Sequence, residues 1–385
     1  MYIGILTQPL HSNYGGLLQN YALQQVLNRI GHITETIDQD GRKRKPMREL
    51  AARGKRLICH TFMPKRYPKS CYSPTQTELN TIRKNTDYFI NTYIRRTKPV
   101  RSSKDFFSIA QEKGYGAYIV GSDQCWRPLY NPFLQDMFLD FVKDRQDIRR
   151  IAYAASFGTD VWELTVKQTL GCRRLARLFD LVSVREEAGV RLCKDHLGVE
   201  AIHVLDPTML LDREDYEKLV IEEKEPENLG TLYHYILDPD NHKHQLINWI
   251  AKENGLIPFT VMPRYQQENR TRSDVKNHID DCIFASVTAW LRGFMDAQMV
   301  IVDSFHGAVF SIIFNKPFWV ITNSARGNAR FDSLLSMFHL EKRLLSLESP
   351  FNANDWNKPI DWSSVNHILQ TEKYRSLQLL RNSLK

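Results

Sequence analysis

An α/β fold, built as two Rossmann-like domains facing a cleft, is predicted by three features of the sequence. Strand and helix signals alternate along the chain, the pattern of parallel sheets with crossover helices. At 385 residues the chain is too long for one ordinary core and suits two. A polar, proline-broken stretch at 223–229, EKEPENL, interrupts the alternation and reads as a linker. The expected division is an N-terminal α/β domain over 1–222, a C-terminal α/β domain over 230–350, and a helical tail over 351–385 that packs back on the first domain.

The elements follow from local pattern. YIGILT at 2–7 is a short apolar strand, followed by the turn-rich PLHSNYGG. Apolar residues at 17, 18, 21, 22, 26, 27 and 30 then recur at helical spacing, and Gly31 stands where a helix C-terminal glycine belongs. Residues 76–93 look helical, and Ala117–Val120 form a buried strand running into GSDQCW. Further strands are expected at 151–155, 180–184 and 202–205, with helices at 162–178 and 186–197. The second half restarts with a strand at 231–237. A helix at 241–254, a strand at 256–261, a helix at 287–296, a strand at 298–302, a helix at 306–314 and a strand at 317–321 follow. The segment 362–383 is an amphipathic helix. No repeat of solenoid period and no low-complexity tract interrupts this order.

Composition excludes several classes. Hydrophobic residues make up 42% and charged residues 25%, which suits a well-packed globular protein. No apolar run approaches the ~18 residues of a membrane span. MYIGILTQPL has neither the basic segment nor the cleavage site of a signal peptide, so a cytoplasmic location is expected. The six cysteines, at 59, 71, 125, 172, 193 and 282, show no metal-ligand spacing and are expected reduced, with no metal bound. His242 and His244 in NHKH suit a surface turn better than a ligand pair.

The net charge of +8 has a local origin. Residues 41–70 hold eleven Lys or Arg and one acid, Glu49, and the rest of the chain is slightly acidic. Nucleic-acid binding would order basic residues along a recognition element with aromatic platforms, and the strip lacks that organisation. It reads as a solvated insertion or as a patch drawn to anionic lipid head groups or a lipid-pyrophosphate-linked acceptor at the inner face of the membrane.

Five motifs follow predicted strands, where open α/β sheets bind ligands. Asn13-Tyr14-Gly15-Gly16 opens the first helix, and its paired glycines let backbone N–H groups converge on a phosphate or carboxylate. Taken alone, a tight turn with no ligand explains it better. Gly121-Ser122-Asp123-Gln124-Cys125-Trp126 offers a hydroxyl, a carboxylate and an amide within one turn; the structural alternative is an Asx turn anchored by Trp126. In Ser183-Val184-Arg185-Glu186 the planar fork of Arg185 suits an anion at the cleft mouth, against a local Arg185–Glu186 ion pair. Val302-Asp303-Ser304-Phe305-His306-Gly307 places His306, the best general acid–base candidate, at a helix start. Ser304 is too close in sequence to form a hydrolase triad with it, and no G-x-S-x-G elbow exists. Lys316, Arg326 and Arg330 come next and complete an anion pocket, or are surface charges.

These residues resemble the polysaccharide pyruvyl transferase family. The matching pieces are NYGGLLQNYALQQVLNRIG, VGSDQCWRP, SVREE, VLDPTMLL, VDSFHGAVFSIIFNKPF and RFDSLLSMF, in family order over nearly the whole chain. The resemblance implies a glycosyltransferase-B-like fold, phosphoenolpyruvate as co-substrate with no other cofactor, and a saccharide diol as acceptor. By motif, His306 looks like the catalytic, donor-contacting histidine and Arg185 like the donor-binding arginine. Lys316, Arg330, Gly15 and Gly16 join the expected donor site. Asp123 is the expected orienting or deprotonating group, with Asn13, Ser122 and Gln124 at the acceptor. The basic strip exceeds what the motifs require, so acceptor identity does not carry over. Two other readings remain: a glycosyltransferase using a nucleotide sugar, and a non-catalytic saccharide-binding assembly partner.

Overall fold

A computed structural model of the chain describes residues 1–39, 74–131, 133–266, 270–322, 328–346 and 358–385. The basic strip 41–70, Cys59, Cys71 and Arg326 lie outside the described residues.

Short apolar runs bounded by turns become two sheets whose strand pairings are all parallel. The first comprises β1 (Tyr2–Leu6), β2 (Ile33–Thr36), β3 (Ala117–Val120), β4 (Arg149–Ala155), β5 (Leu181–Val184) and β6 (Ile202–His203), in the order β2-β1-β3-β4-β5-β6. The second comprises β7 (Leu232–Tyr235), β8 (Pro258–Phe259), β9 (Met299–Val302), β10 (Phe318–Ile321) and β11 (Leu344–Leu345), in the order β11-β10-β9-β7-β8. The strand order reverses between β1 and β3 in the first sheet and between β9 and β7 in the second. Such switch points open a crevice at the carboxyl ends of the strands. These are the two Rossmann-like halves that the alternation predicts.

The helices differ from expectation where caps intervene. The helical run expected over 76–93 is two helices, Gln76–Ile82 and Lys84–Tyr93, with Arg83 between them. The run expected over 186–197 is an α-helix, Glu187–Leu192, that passes into a π turn ended by Gly198 at φ +67°. His242 and His244 lie in the first turn of helix Asn241–Glu253. The four described cysteines are free and buried.

One apolar core runs through both halves. Tyr14 of the first half stacks on Trp290 of the second, with ring centroids 5.6 Å apart, and its hydroxyl donates to the Ala285 carbonyl at 3.1 Å. Tyr216 meets Phe310 edge-on at 4.9 Å. Helix Trp362–Ser383 returns to the first half, where Ser376 accepts from Leu205 N–H and Arg375 donates to the His203 carbonyl. These contacts hold the carboxyl edges of the two sheets against each other. Among the described residues no helix is long and apolar enough to cross a membrane.

Candidate active site

Both switch points carry motif residues, and they meet. From the first half come Asn13 and Gly15 after β1, Ser122 and Asp123 after β3, Arg185 after β5 and Asp206 after β6. From the second come Phe305 and His306 after β9, and Arg330 at the start of helix Ala329–Met337. All are buried except Asn13.

Arg185 is the hub. Its two terminal nitrogens donate to Asp123 Oδ1 at 2.8 Å and to Asp206 Oδ2 at 2.9 Å, and its guanidinium lies 4.4 Å from the Phe305 ring centroid. The alternative reading, an Arg185–Glu186 pair, does not form. The Glu186 carboxylate instead accepts from Ser156 Oγ and from the Phe157 and Gly158 N–H groups. Nor does Arg185 face an open mouth, since its side chain is wholly buried behind the two aspartates.

Asp206, which the motif reading passes over, is the second organiser. Its Oδ2 also accepts from Ser122 Oγ at 2.8 Å, and its Oδ1 accepts from Thr208 N–H and Oγ. Its signal in the sequence is the one that marks the others: a polar residue directly after a strand. Burial, the largest influence, pushes its carboxyl up, but His306 beside it and Arg185 more than offset this and hold it far below the usual range. Asp123 follows the same logic: burial raises it, and Arg185, His306 and Arg330 bring it below its ordinary value. It sits at φ +71°, a left-handed conformation that Asp tolerates. Burial foremost, then neighbouring Arg185, lowers Arg330 to about 10. At that value Arg330 is still a cation at neutral pH, and among the described residues no carboxylate lies within ion-pair distance of it.

His306 begins helix Phe305–Ile313, which Ser304 caps by accepting from Gly307 N–H at 2.9 Å. Its Nε2 is buried, 3.6 Å from Asp206 Oδ2 and without a hydrogen-bond partner. Its ring lies against Gly15, where a β-carbon would stand 2.1 Å from Nδ1. Two helix N-termini therefore converge here, and both dipoles favour an anion between them. Gly15 is required by the approach of the imidazole, while Gly16 donates its N–H to the capping side chain of Asn13 at 3.2 Å. The paired glycines are thus explained by packing and capping, and not first by a phosphate cradle.

Gly15→Ala is accordingly expected to displace His306 and cut activity at least tenfold, by the reasoning that small misplacements of reacting groups are costly. Gly116→Ala, where a β-carbon would meet nothing nearer than 3.7 Å, is the control expected to be neutral. Initial rates on the two variants check this.

Other expected residues fall differently. Ser122 is fully buried and bound to Asp206, so it supports that carboxylate and offers no hydroxyl to an acceptor. Gln124 is held by Arg127 at 3.1 Å and rests over Gly158. Asn13 does reach the site, with Nδ2 3.4 Å from Asp123 Oδ2. Lys316 does not: it follows the C-terminal end of the histidine helix and donates to the Met295 carbonyl. Trp126 packs on Phe138 as an anchor, with ring centroids 4.7 Å apart. Asp303 pairs with Lys243 at 2.8 Å and accepts from Leu237 N–H, tying β9 to the exit of β7. Among the described residues no group of three or more His, Cys, Asp or Glu is placed to hold a metal ion.

Stability should fall in acid. Burial and Arg83 lower His11 to about 4, and burial lowers His234 to about 4, from an ordinary 6.5. Between those values the unfolded chain binds protons that the folded chain does not, so stability rises with pH from about 4 to 6.5. The lowered Asp123 and Asp206 add a loss as pH falls below their ordinary 3.8. Thermal melts against pH should show both steps, and His11→Gln with His234→Gln should flatten only the upper one.

Fold and site together define a two-domain α/β protein with a polar centre at the junction of two parallel sheets. The chain belongs to the polysaccharide pyruvyl transferase family, whose model matches residues 13–325. No curated protein matches it. Among solved structures it is similar to UDP-GlcNAc 2-epimerase from Neisseria meningitidis bound to UDP-GlcNAc, at 9% identity and TM-score 0.49 over 100% of this chain and 99% of that one. It is also similar to the Streptomyces glycosyltransferase SsfS6, at 11% identity and TM-score 0.42 over 99% of each chain. A third is ADP-heptose LPS heptosyltransferase II of E. coli, at 11% identity and TM-score 0.35 over 97% of this chain and 100% of that one. These likenesses bear on neither activity nor ligand.

Proposed function

We propose that this protein transfers a pyruvyl group from phosphoenolpyruvate to two hydroxyls of a sugar, forming a cyclic ketal and releasing phosphate. The sugar belongs to a polysaccharide or a lipid-linked saccharide intermediate. The observation that carries the proposal is the buried cluster of His306 with Arg330 at two converging helix N-termini, in a chain of this family. Phosphoenolpyruvate brings a carboxylate and a phosphate. Arg330 and the helix ends offer positive potential that no carboxylate within ion-pair distance neutralises among the described residues.

The chemistry divides among few groups. One sugar hydroxyl adds to C2 of the donor while C3 gains a proton, and His306 carries the proton from the one to the other. Phosphate then leaves, and the second hydroxyl closes the ring and gives its proton to the departing phosphate. Asp123, its carboxyl held low by Arg185, is a poor base. Its role is to accept a hydrogen bond from the acceptor and orient it, with Asn13 beside it. Arg185 fixes Asp123 and Asp206 and contributes charge to the donor from behind them.

The test is phosphate release from phosphoenolpyruvate across galactose-, glucose- and mannose-type acceptors. Release that depends on one acceptor class supports the reading. Transfer from a uridine or guanosine diphosphate sugar, with phosphoenolpyruvate inert, replaces it by the glycosyltransferase reading.

On charge alone, the strip 41–70 extends the proposal to an acceptor at an anionic membrane face, where each basic residue contributes on the order of 1 kcal/mol. Neutralising Arg42, Lys43, Arg44 and Lys45 is expected to reduce sedimentation with anionic vesicles at low salt. Use of a short soluble acceptor should be unchanged.

A further inference from the structure

We infer that Asp206 is the positioning residue of His306, accepting the proton on Nε2 across the junction of the two halves so that Nδ1 faces the substrate. The inference deepens the pyruvyl-transfer reading and rests on it for what the substrate is.

The heavy atoms dictate the assignment. Nε2 is the nitrogen directed at Asp206 Oδ2, 3.6 Å away, and it is buried with no other partner. Catalytic hydrogen bonds are often long in ligand-free structures and tighten when substrate binds. Nδ1 lies on the other side of the ring, against Gly15 at the start of helix Tyr14–Arg29. A neutral imidazole with its proton on Nε2 keeps a lone pair on Nδ1, the nitrogen nearer that helix end.

Asp206 is built for this task. Its Oδ2 accepts from Ser122 and Arg185 and its Oδ1 from Thr208 N–H and Oγ, which holds the carboxylate in one orientation, and Nε2–H is a third donor shared at Oδ2. It is fully buried, so it can be neither a nucleophile nor a direct substrate contact without rearrangement. Because Asp206 lies on the first half and His306 on the second, the imidazole is oriented only when the halves meet.

The experiment reads the protons directly. Full-length protein is labelled with 15N-histidine, and the His306 signals are assigned by their loss in His306→Gln. Two-bond proton–nitrogen spectra are recorded without ligand at about pH 8, above the ordinary imidazole range. The expected result is a proton on Nε2 in the native protein and a changed or mixed pattern in Asp206→Asn. In the same variant kcat should fall on the order of 10²-fold, the lower end for loss of acid–base function, with the KM for phosphoenolpyruvate changed less than threefold. Should Asp206→Asn not fold, Ser122→Ala and Thr208→Val each remove one support of the carboxylate and should shift the pattern and lower kcat in the same direction, less steeply. A proton on Nδ1, or a pattern that these substitutions leave unchanged, overturns the inference. The expected tautomer together with no turnover of phosphoenolpyruvate on any acceptor would overturn the reading of the function and leave the Asp206–His306 assignment standing.

Discussion

Replacing His306 by glutamine is expected to slow turnover by ~10²–10⁴-fold, the range typical for loss of a positioned acid–base group. The geometry makes the reason specific. The imidazole lies between Gly15 and Asp206, where the two helix N-termini converge across the junction of the halves. Glutamine fills most of that space and keeps a polar end, but it cannot carry a proton between the acceptor hydroxyl and C3 of the donor. The substitution should leave the far-ultraviolet circular dichroism spectrum and the melting transition close to native. Initial rates of phosphate release check the prediction. Retention of more than about a third of native activity, far outside that range, would remove His306 from the chemistry.

Arg185→Met should be the most destabilising single change at the site, by about 3–5 kcal/mol, the cost of leaving buried charge uncompensated. Both Asp123 and Asp206 depend on its guanidinium, and neither is open to solvent. Methionine fills the space over Phe305 but supplies no charge. Arg185→Lys should be milder, because an ammonium can compensate one carboxylate while losing the fork that spans both. Its effect on activity should fall on the KM for phosphoenolpyruvate more than on that for the sugar. Urea denaturation gives the stability difference directly. A loss below about 1 kcal/mol, well short of that range, would mean that the two aspartates are compensated elsewhere.

Much of this arrangement is legible in the sequence, and what is not has physical reasons. The strands that enter Asp123, Arg185 and His306 are mostly apolar runs of four residues, and each ends in a polar motif that the fold places at a carboxyl edge. Asp206 carries the same signal more faintly, because β6 is only two residues long and a proline follows the aspartate. The edge strands β8 and β11 are equally short and give no period to read. Lys316 misleads through proximity in sequence. Helix Phe305–Ile313 spans nine residues, roughly 13 Å at 1.5 Å per residue, and carries its C-terminal end away from the site. Arg330 lies beside the cluster for the converse reason: it begins a separate helix that packs back on the histidine helix. The Arg185–Glu186 pair that adjacency offers as an alternative does not form, because neighbouring residues leaving a strand point in opposite directions. Arg185 thus turns to Asp123 and Asp206, while Glu186 turns to the 156–158 loop.

Pyruvyl transfer is distinguished from every alternative by the fate of one carbon atom, C2 of the donor. Phosphoenolpyruvate labelled with 13C at C2 is incubated with the protein and an acceptor sugar, and the reaction is followed by carbon NMR. The account predicts that the label moves from the enol carbon to a quaternary ketal carbon attached to the sugar, with one phosphate released per ketal formed and neither change in His306→Gln. Label that stays in phosphoenolpyruvate with every acceptor class, or that appears only as free pyruvate, would contradict it.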